Sequence, residues 1–271
     1  MDLDALVHQR PAPTEAERPG TRSLGRVIKV MRMVASRPQF GWRLSDLSAA
    51  CNLDRATVHR MLAFLVEERL VAQRASDRHY LPGPLMFELG LALPDHNQFQ
   101  RRAEVAVNAF ACRMGGIAVL LLRSGNEYVC SVRAGTVALS GSVLFPGNRR
   151  PLFTAAGGVA ILQTLPADEA RAVLRENVAQ EIARCGTGRL ASLQKMRERS
   201  DRHGFGVNLG DVVPGVHAFG APLRGVDGNA IAALCLLGSP ELYPEERLSE
   251  LRAQLFEAAE ALAADARKFN L

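Results

Sequence analysis

The sequence predicts an α+β protein in two parts, a small and mostly helical N-terminal domain followed by a larger mixed domain. The chain has 271 residues, more than the ~100 to 200 of a typical single domain. Positive charge is concentrated in residues 20–83, which hold eleven Lys and Arg against five acidic residues, whereas residues 84–271 hold twenty against nineteen. Helical apolar periodicity in the first part gives way to strand-like runs between helical ones in the second.

The composition excludes several classes of protein. Hydrophobic residues make up 48% and charged residues 23%, as in a folded globular chain. No apolar run approaches the ~18 residues of a membrane span and no leader pattern opens the chain, so we expect a cytoplasmic protein with no membrane partner. The five cysteines are widely spaced and never form a CxxC pair, so neither a disulfide framework nor a metal site is predicted, and no cofactor is expected.

The N-terminal part predicts a tail and two helices. Residues 1–22 are rich in Pro, Glu and Arg without apolar periodicity, which indicates a disordered tail. Ser23 is the expected N-cap of a first helix, and Ser45 of a second. The second helix should end at a tight turn in which Asn52 adopts the left-handed conformation.

A third helix, RATVHRMLAFLVEE, should begin after Asp54 as its N-cap. Its apolar residues form one stripe, which leaves a polar face on the other side: Arg55, Ala56, Thr57, His59 and Arg60. Two short helices, a tight turn and such a third helix are typical of a helix-turn-helix. Because a helix of this kind fits the major groove of duplex DNA with its N-terminal half on the bases, these five residues are the predicted base-contacting set.

A short hairpin follows the third helix. The segments LVAQR and RHYL flank a turn, with Arg74 and Arg78 beside its tip. This pattern predicts a wing whose arginines contact the DNA backbone or the minor groove, and residues 23–83 are therefore predicted to be a winged helix-turn-helix DNA-binding domain.

The rest of the chain predicts a linker helix over residues 84–98 and an antiparallel α+β domain over residues 99–271. A first helix is expected at 99–114, strands at 117–122, 128–132, 139–145, 216–223 and 230–237, and further helices at 154–164, 167–179, 189–203 and 245–268. Regular βαβ alternation is missing, which favours an antiparallel sheet over a parallel one.

The segments WRLSDLSAACNLDRATVHRMLAFLVEERLV, GNRRPLFTAAGGVAIL and GFGVNLGDVVPGVHAFGAPLRGVDGNAIAALCLLGSP resemble the IclR family of bacterial transcriptional regulators, over roughly residues 23–268. The resemblance implies a GAF-like effector-binding domain, a homodimer or dimer of dimers, and a pseudopalindromic operator. It also implies an effector pocket at the positions Leu144, Phe145, Gly147, Phe153, Thr154, Asn208, Ala218, Cys235 and Leu237.

The chain departs from the family pattern at several of these positions. Phe153 stands where the family often has His, Asn208 where an acidic residue is usual, and Cys235 and Leu237 where many relatives have Ser. These departures favour an apolar pocket and an aromatic or otherwise hydrophobic effector. The alternative is that Phe153, Cys235 and Leu237 only pack the core. Arg149 and Arg150 could pair with an effector carboxylate at the pocket mouth or be solvated loop charges.

The function predicted from the sequence is therefore a sequence-specific DNA-binding transcriptional regulator controlled by a small-molecule effector. One alternative is an architectural DNA-binding protein that responds to no ligand. The other, an enzyme, lacks the motifs of hydrolases, nucleotide-binding enzymes and zinc proteases. Cys235, the best nucleophile candidate, lies in an apolar strand where a thiol is usually inert, so no catalytic residue is assigned.

Overall fold

A computed structural model describes residues 21–136 and 144–271 of the protein. These residues form two compact units, one ending at Asn97 and one running from Gln98 to Leu271. Nearly all of the tail assigned to residues 1–22, and most of the strand expected at 139–145, lie outside the described residues.

The first unit contains three helices, a two-stranded hairpin and a fourth short helix. Their bounds are α1 Arg22–Ala35, α2 Leu44–Cys51, α3 Arg55–Glu67, β1 Val71–Gln73, β2 Tyr80–Pro82 and α4 Pro84–Gly90. The strands are antiparallel, with Ala72 opposite Leu81. Trp42 forms a bridge to Tyr80, and apolar residues of α1, α2 and α3 pack with both aromatics into one core. The helix-turn-helix and the wing predicted from the sequence are both confirmed.

The helix starts differ in two places from the predicted ones. Helix α1 begins at Arg22, so Ser23 lies inside it, and helix α2 begins at Leu44 after an extended Arg43. Ser45 therefore caps nothing, and its hydroxyl donates to Asp46 Oδ1 at 3.0 Å. A serine near the start of a helix favours the N-cap position, but it does not decide by itself which residue occupies that position.

The segment predicted as one linker helix over residues 84–98 is two helices. Helix α4 ends at Gly90, and helix α5 begins at Pro94 and runs to Met114. Proline breaks the preceding helix but is well suited to a first helical turn, where its missing N–H would have no partner in the helix. The helix expected at 99–114 thus starts five residues earlier.

The second unit is built on one antiparallel sheet. Among the described residues its strands are β3 Ile117–Ser124, β4 Glu127–Ala134, β5 Arg149–Pro151, β6 Gly206–Leu209, β7 His217–Arg224 and β8 Ala230–Gly238, in the order β5-β4-β3-β8-β7-β6. The helices are α6 Ala156–Leu162, α7 Ala167–Cys185, α8 Leu190–His203 and α9 Leu248–Lys268. The antiparallel α+β domain is confirmed, and β5 and β6 at the two edges are strands that the sequence reading missed.

Alternate residues of the central strands pack into two separate hydrophobic cores, one on each face of the sheet. Val119, Leu121 and Cys235 pack toward α6, α7 and α8, whereas Leu120 and Leu234 pack with α5 and α9 on the other face. This is the period-two pattern of a sheet covered on both sides.

Helix α6 lies directly on the sheet, with backbone against backbone. A Cβ at Gly220 on β7 would lie 2.5 Å from Gly157 Cα, and a Cβ at Gly206 would lie 2.0 Å from Ala156 O. Glycine is required on both strands because no side-chain layer separates them from the helix.

Candidate DNA-binding face and ligand cavity

The turn between α2 and α3 is fixed by local hydrogen bonds. Asn52 has φ 51° and ψ 50°, as expected for the left-handed turn residue. The Ser48 hydroxyl donates to Leu53 O at 2.6 Å, and the Asp54 carboxylate accepts from the Thr57 N–H at 2.8 Å. Hydrogen bonds from Thr57 lower the pKa of Asp54, so the N-cap stays charged near neutral pH. The predicted cap at Asp54 is confirmed, and α3 begins at Arg55.

Helix α3 buries one face and presents the other to solvent. Val58, Leu62 and Leu65 are buried in the core of this unit. The predicted contact residues Arg55, Ala56, His59 and Arg60 are exposed, and Thr57 is half-buried. Arg60 Nη2 donates to Thr57 Oγ1 at 3.4 Å. The arrangement thus offers two guanidinium groups, one imidazole and one methyl group along the first two turns.

The two wing arginines have different environments. Arg74 donates through Nε and Nη2 to the Asp77 carboxylate at 2.9 and 2.6 Å, and also through Nη2 to Phe40 O at 2.9 Å. The Arg74 guanidinium holds the pKa of Asp77 well below its usual range. Arg78 is exposed at the hairpin tip with φ 61°. Arg74 therefore braces the wing, whereas Arg78 projects from it.

The second unit holds a partly open cavity of about 230 Å³ on the sheet face covered by α6, α7 and α8. It is lined by Tyr128, Leu144, Asn148, Arg150, Thr154, Ala155, Ala156, Arg184, Arg189, Met196, Asn208, Val212, Val213, Val216, Ala218 and Leu237. The structure thus brings together five of the nine positions carried over from the family resemblance: Leu144, Thr154, Asn208, Ala218 and Leu237. The volume lies just below the ~300 to 1,000 Å³ of drug-sized ligand sites, so the cavity suits a small molecule.

The other four positions do not line the cavity. Phe153 is 0% exposed in the core, and its N–H donates to Asn177 Oδ1 at 3.2 Å. Cys235 packs against helix α6, where a Cβ at Gly157 would lie 2.2 Å from its Sγ. Phe145 and Gly147 belong to a tight turn. In this turn Gly147 has a φ of 87°, and its N–H donates to Cys130 O at 2.8 Å. Phe153 and Cys235 thus fit the core-packing alternative.

A loop after β6 forms an apolar wall of the cavity. Asn208 organises it, because its Oδ1 accepts the N–H groups of Asp211 at 3.1 Å and Val212 at 3.2 Å. Its Nδ2 donates to Val216 O at 3.4 Å. An aspartate could not make that third hydrogen bond, which explains an amide at this position.

Charged side chains line another part of the cavity, so the expectation of an apolar pocket was incomplete. Arg184 and Arg189 both bind Glu181, whose side chain is 0% exposed. Arg150 also lines the cavity, whereas Arg149 pairs with Glu127 at 3.1 Å and does not line it. Sequence reasoning missed Arg184 and Arg189, because charged residues at the end of a helix are usually solvated.

Burial keeps one phenol and two thiols of the second unit protonated. Burial raises the pKa of Tyr128 to about 12 and the pKa of Cys130 to about 12, and it raises the pKa of Cys235 as well. These thiols and the phenol are therefore protonated near neutral pH. In residues 21–136 and 144–271 we find no cluster of three His, Cys, Asp or Glu side chains suited to a metal. No helix in those ranges has the length and apolarity to span a membrane.

A winged helix-turn-helix joined in one chain to an α+β unit with a charged cavity defines a class, the DNA-binding regulators that carry their own ligand-binding domain. Comparison with known families agrees: the IclR helix-turn-helix domain matches residues 23–75, and the bacterial transcriptional regulator IclR C-terminal domain matches residues 95–264. The chain belongs to the IclR family of transcriptional regulators.

Individual relatives are distant but cover 80% or more of this chain. The HTH-type transcriptional regulator KipR of Bacillus subtilis is 26% identical over 222 residues, covering 80% of this chain and 86% of KipR. An IclR family transcriptional regulator from Brucella abortus superposes with a TM-score of 0.68 at 17% identity, over 94% of this chain and 96% of that one. An IclR homologue from Microbacterium hydrocarbonoxydans, solved with 4-hydroxybenzoate, gives 0.63 at 19% identity, over 91% and 99%. These relatives are transcriptional regulators rather than enzymes.

Proposed function

We propose that the protein is a sequence-specific regulator whose affinity for its operator is controlled by a small molecule bound in the cavity of the second unit. The observation that carries the proposal is the exposed polar half of α3 beside a braced, basic wing. Both features suit a duplex with a negatively charged backbone.

Within this proposal the side chains of the first unit have separate tasks. Arg55, Thr57, His59 and Arg60 read base edges, and the Ala56 methyl group meets a thymine methyl. Arg78 contacts phosphate or the minor groove. Arg74 stabilises the wing through Asp77, which revises the equal roles given to both arginines by sequence reasoning. The protein acts as a homodimer or a dimer of dimers on a pseudopalindromic operator, with half-sites about one or more helical turns apart.

Two arginine variants test the DNA-binding assignment by titration of the promoter fragment and a scrambled duplex over a range of salt. Arg60→Ala should weaken operator binding by about 1 to 3 kcal/mol and reduce the preference over the scrambled duplex. Arg78→Ala should weaken both duplexes equally and lower the salt slope by about 1. Arg171→Ala, an equal loss of charge on α7, is the control. Wild-type affinity in both test variants would contradict the assignment, and equal binding of both duplexes by the wild type would favour the architectural alternative.

The effector in this proposal is a small molecule with an apolar, for example aromatic, body, which Val212, Val216 and Leu237 would contact. The aromatic acid bound by the Microbacterium homologue, 4-hydroxybenzoate, is a suitable first probe. A ligand that prefers one arrangement of the subunits should change operator affinity by ~5- to 150-fold, corresponding to a coupling of about 1 to 3 kcal/mol. Ligand binding without any change in operator affinity would contradict effector control.

A further inference from the structure

Glu181 is placed where a carboxylate is costly. It is 0% exposed and lies in the last two turns of α7, where the partial negative charge of the helix end opposes it. A buried ion pair of this kind adds little stability, because an apolar side chain of similar size often serves as well or better. Stability alone therefore does not account for a charged group at this position.

The surroundings of Glu181 show what the carboxylate does hold. Arg184 donates to it through Nη2 at 2.7 Å and Nε at 3.0 Å, and Arg189 donates through Nη1 at 2.8 Å. The Cys185 thiol adds a weaker bond at 3.2 Å. Burial would raise the pKa of Glu181, but the hydrogen bonds from Arg184 and Cys185 bring it below its ordinary value, so the group is ionised. One fixed carboxylate thus orients two flexible side chains that reach it from opposite sides of the turn between α7 and α8.

Both arginines keep donor capacity for a ligand. A guanidinium has five N–H donors, and Glu181 takes two from Arg184 and one from Arg189. Both side chains line the cavity and are about 40% exposed, at 40% and 39%. The cluster carries a formal charge of +1, and Arg150 lines the same cavity. A cavity that joins apolar walls to oriented guanidinium groups is complementary to an anionic head on an apolar body.

Resting on the proposed effector site, we infer that Arg184 and Arg189 form an anion-binding site in this cavity and that Glu181 is its positioning residue. The ligand is a small organic anion, with a carboxylate or a phosphate as the shared chemistry. Arg184 and Arg189 set the preference for charge, and Val212 and Leu237 accept the apolar part.

The test compares ligands that differ only in charge, using the full-length protein and isothermal titration. Benzoate is paired with neutral benzamide, and 4-hydroxybenzoate with 4-hydroxybenzamide, while phenyl phosphate distinguishes a phosphate head from a carboxylate. Wild type should bind the acids at least about 10-fold more tightly than the amides. Arg184→Gln and Arg189→Gln should each lower that ratio about 10-fold, whereas Arg175→Gln, an exposed arginine of the same helix, should leave it unchanged.

Glu181→Gln separates positioning from simple charge balance. If Glu181 only neutralised the arginines, its removal would strengthen acid binding, whereas a positioning role predicts weaker acid binding with amide binding unchanged. Stronger acid binding in Glu181→Gln, or equal binding of acids and amides by the wild type, would overturn the inference while leaving a ligand-binding cavity in place. Failure of acids, phosphate ester and amides alike to bind would count against the effector proposal itself.

Discussion

Replacement of Phe153 by alanine distinguishes a core residue from a ligand contact. The side chain is 0% exposed between the sheet and α7, and its own N–H is held by Asn177. Truncation of a fully buried phenylalanine costs about 3 to 5 kcal/mol, from lost transfer free energy and the cavity left behind. The ratio of unfolded to folded protein should then rise by at least about 100-fold.

Urea unfolding followed by far-UV circular dichroism measures this loss in the second unit. With a slope of about 2 kcal/mol per molar urea, the midpoint should fall by about 1.5 to 2.5 M. Trp42 is the chain's single tryptophan and lies in the first unit, so its fluorescence reports that unit separately. Val226→Ala, at a side chain 60% exposed, is the control and should stay within about 0.5 kcal/mol. A Phe153→Ala protein as stable as wild type but impaired in binding aromatic acids would refute the reasoning.

Three further predictions concern the second unit. Gly220→Ala should destabilise it by about 1 to 3 kcal/mol in urea unfolding, because the new Cβ meets the Gly157 backbone, whereas Gly188→Ala has nothing within 4 Å and should be tolerated; equal stability would be evidence against the close contact. Asn208→Asp should weaken benzoate binding more than benzamide binding in calorimetry, because both ligands lose the bond that Asn208 makes to Val216 O but only the anion is repelled by a new carboxylate in the cavity lining; an equal loss for both ligands would contradict the role of charge. Because the pKa of Glu181 is lower in the folded chain than its ordinary value of 4.5, its ionisation favours the folded state above pH 4.5, and this contribution is lost as the pH falls through the folded-state pKa. Acid unfolding should therefore be steeper in wild type than in Glu181→Gln, and identical curves would contradict the ion cluster.

The sequence predicted the first unit well because its signals are local. A left-handed Asn52, a capping Asp54 and an apolar stripe at helical spacing are each decided within a few residues. The N-caps predicted at Ser23 and Ser45 were wrong because several neighbouring residues can serve as the N-cap of a helix, and the sequence pattern does not decide among them. Short edge strands such as β5 and β6 were missed because three or four residues carry too little alternation and owe their conformation to the neighbouring strand.

The cavity was only partly predictable for the opposite reason. Positions carried over from the resemblance fall around the cavity but could not show how far helix α6 covers this face of the sheet. Cys235 and Leu237 lie on the same face of β8, yet Cys235 packs against α6 whereas Leu237 lines the cavity. Arg184 and Arg189 line the cavity while bonded to the carboxylate of Glu181. That arrangement depends on tertiary packing, and neither composition nor spacing signals it.

The backbone contact between helix α6 and the sheet limits which residues near the cavity can be exchanged. Gly157 and Gly220 do not line the cavity but leave no room for a larger residue, so a substitution there would displace helix α6, whose first residue, Ala156, does line it. If the cavity binds the effector, changes of ligand preference, by natural divergence or by design, are expected in the loop after β6, which holds Val212 and Val213, and in the turn between α7 and α8. A library restricted to those two places would search the productive sequence space.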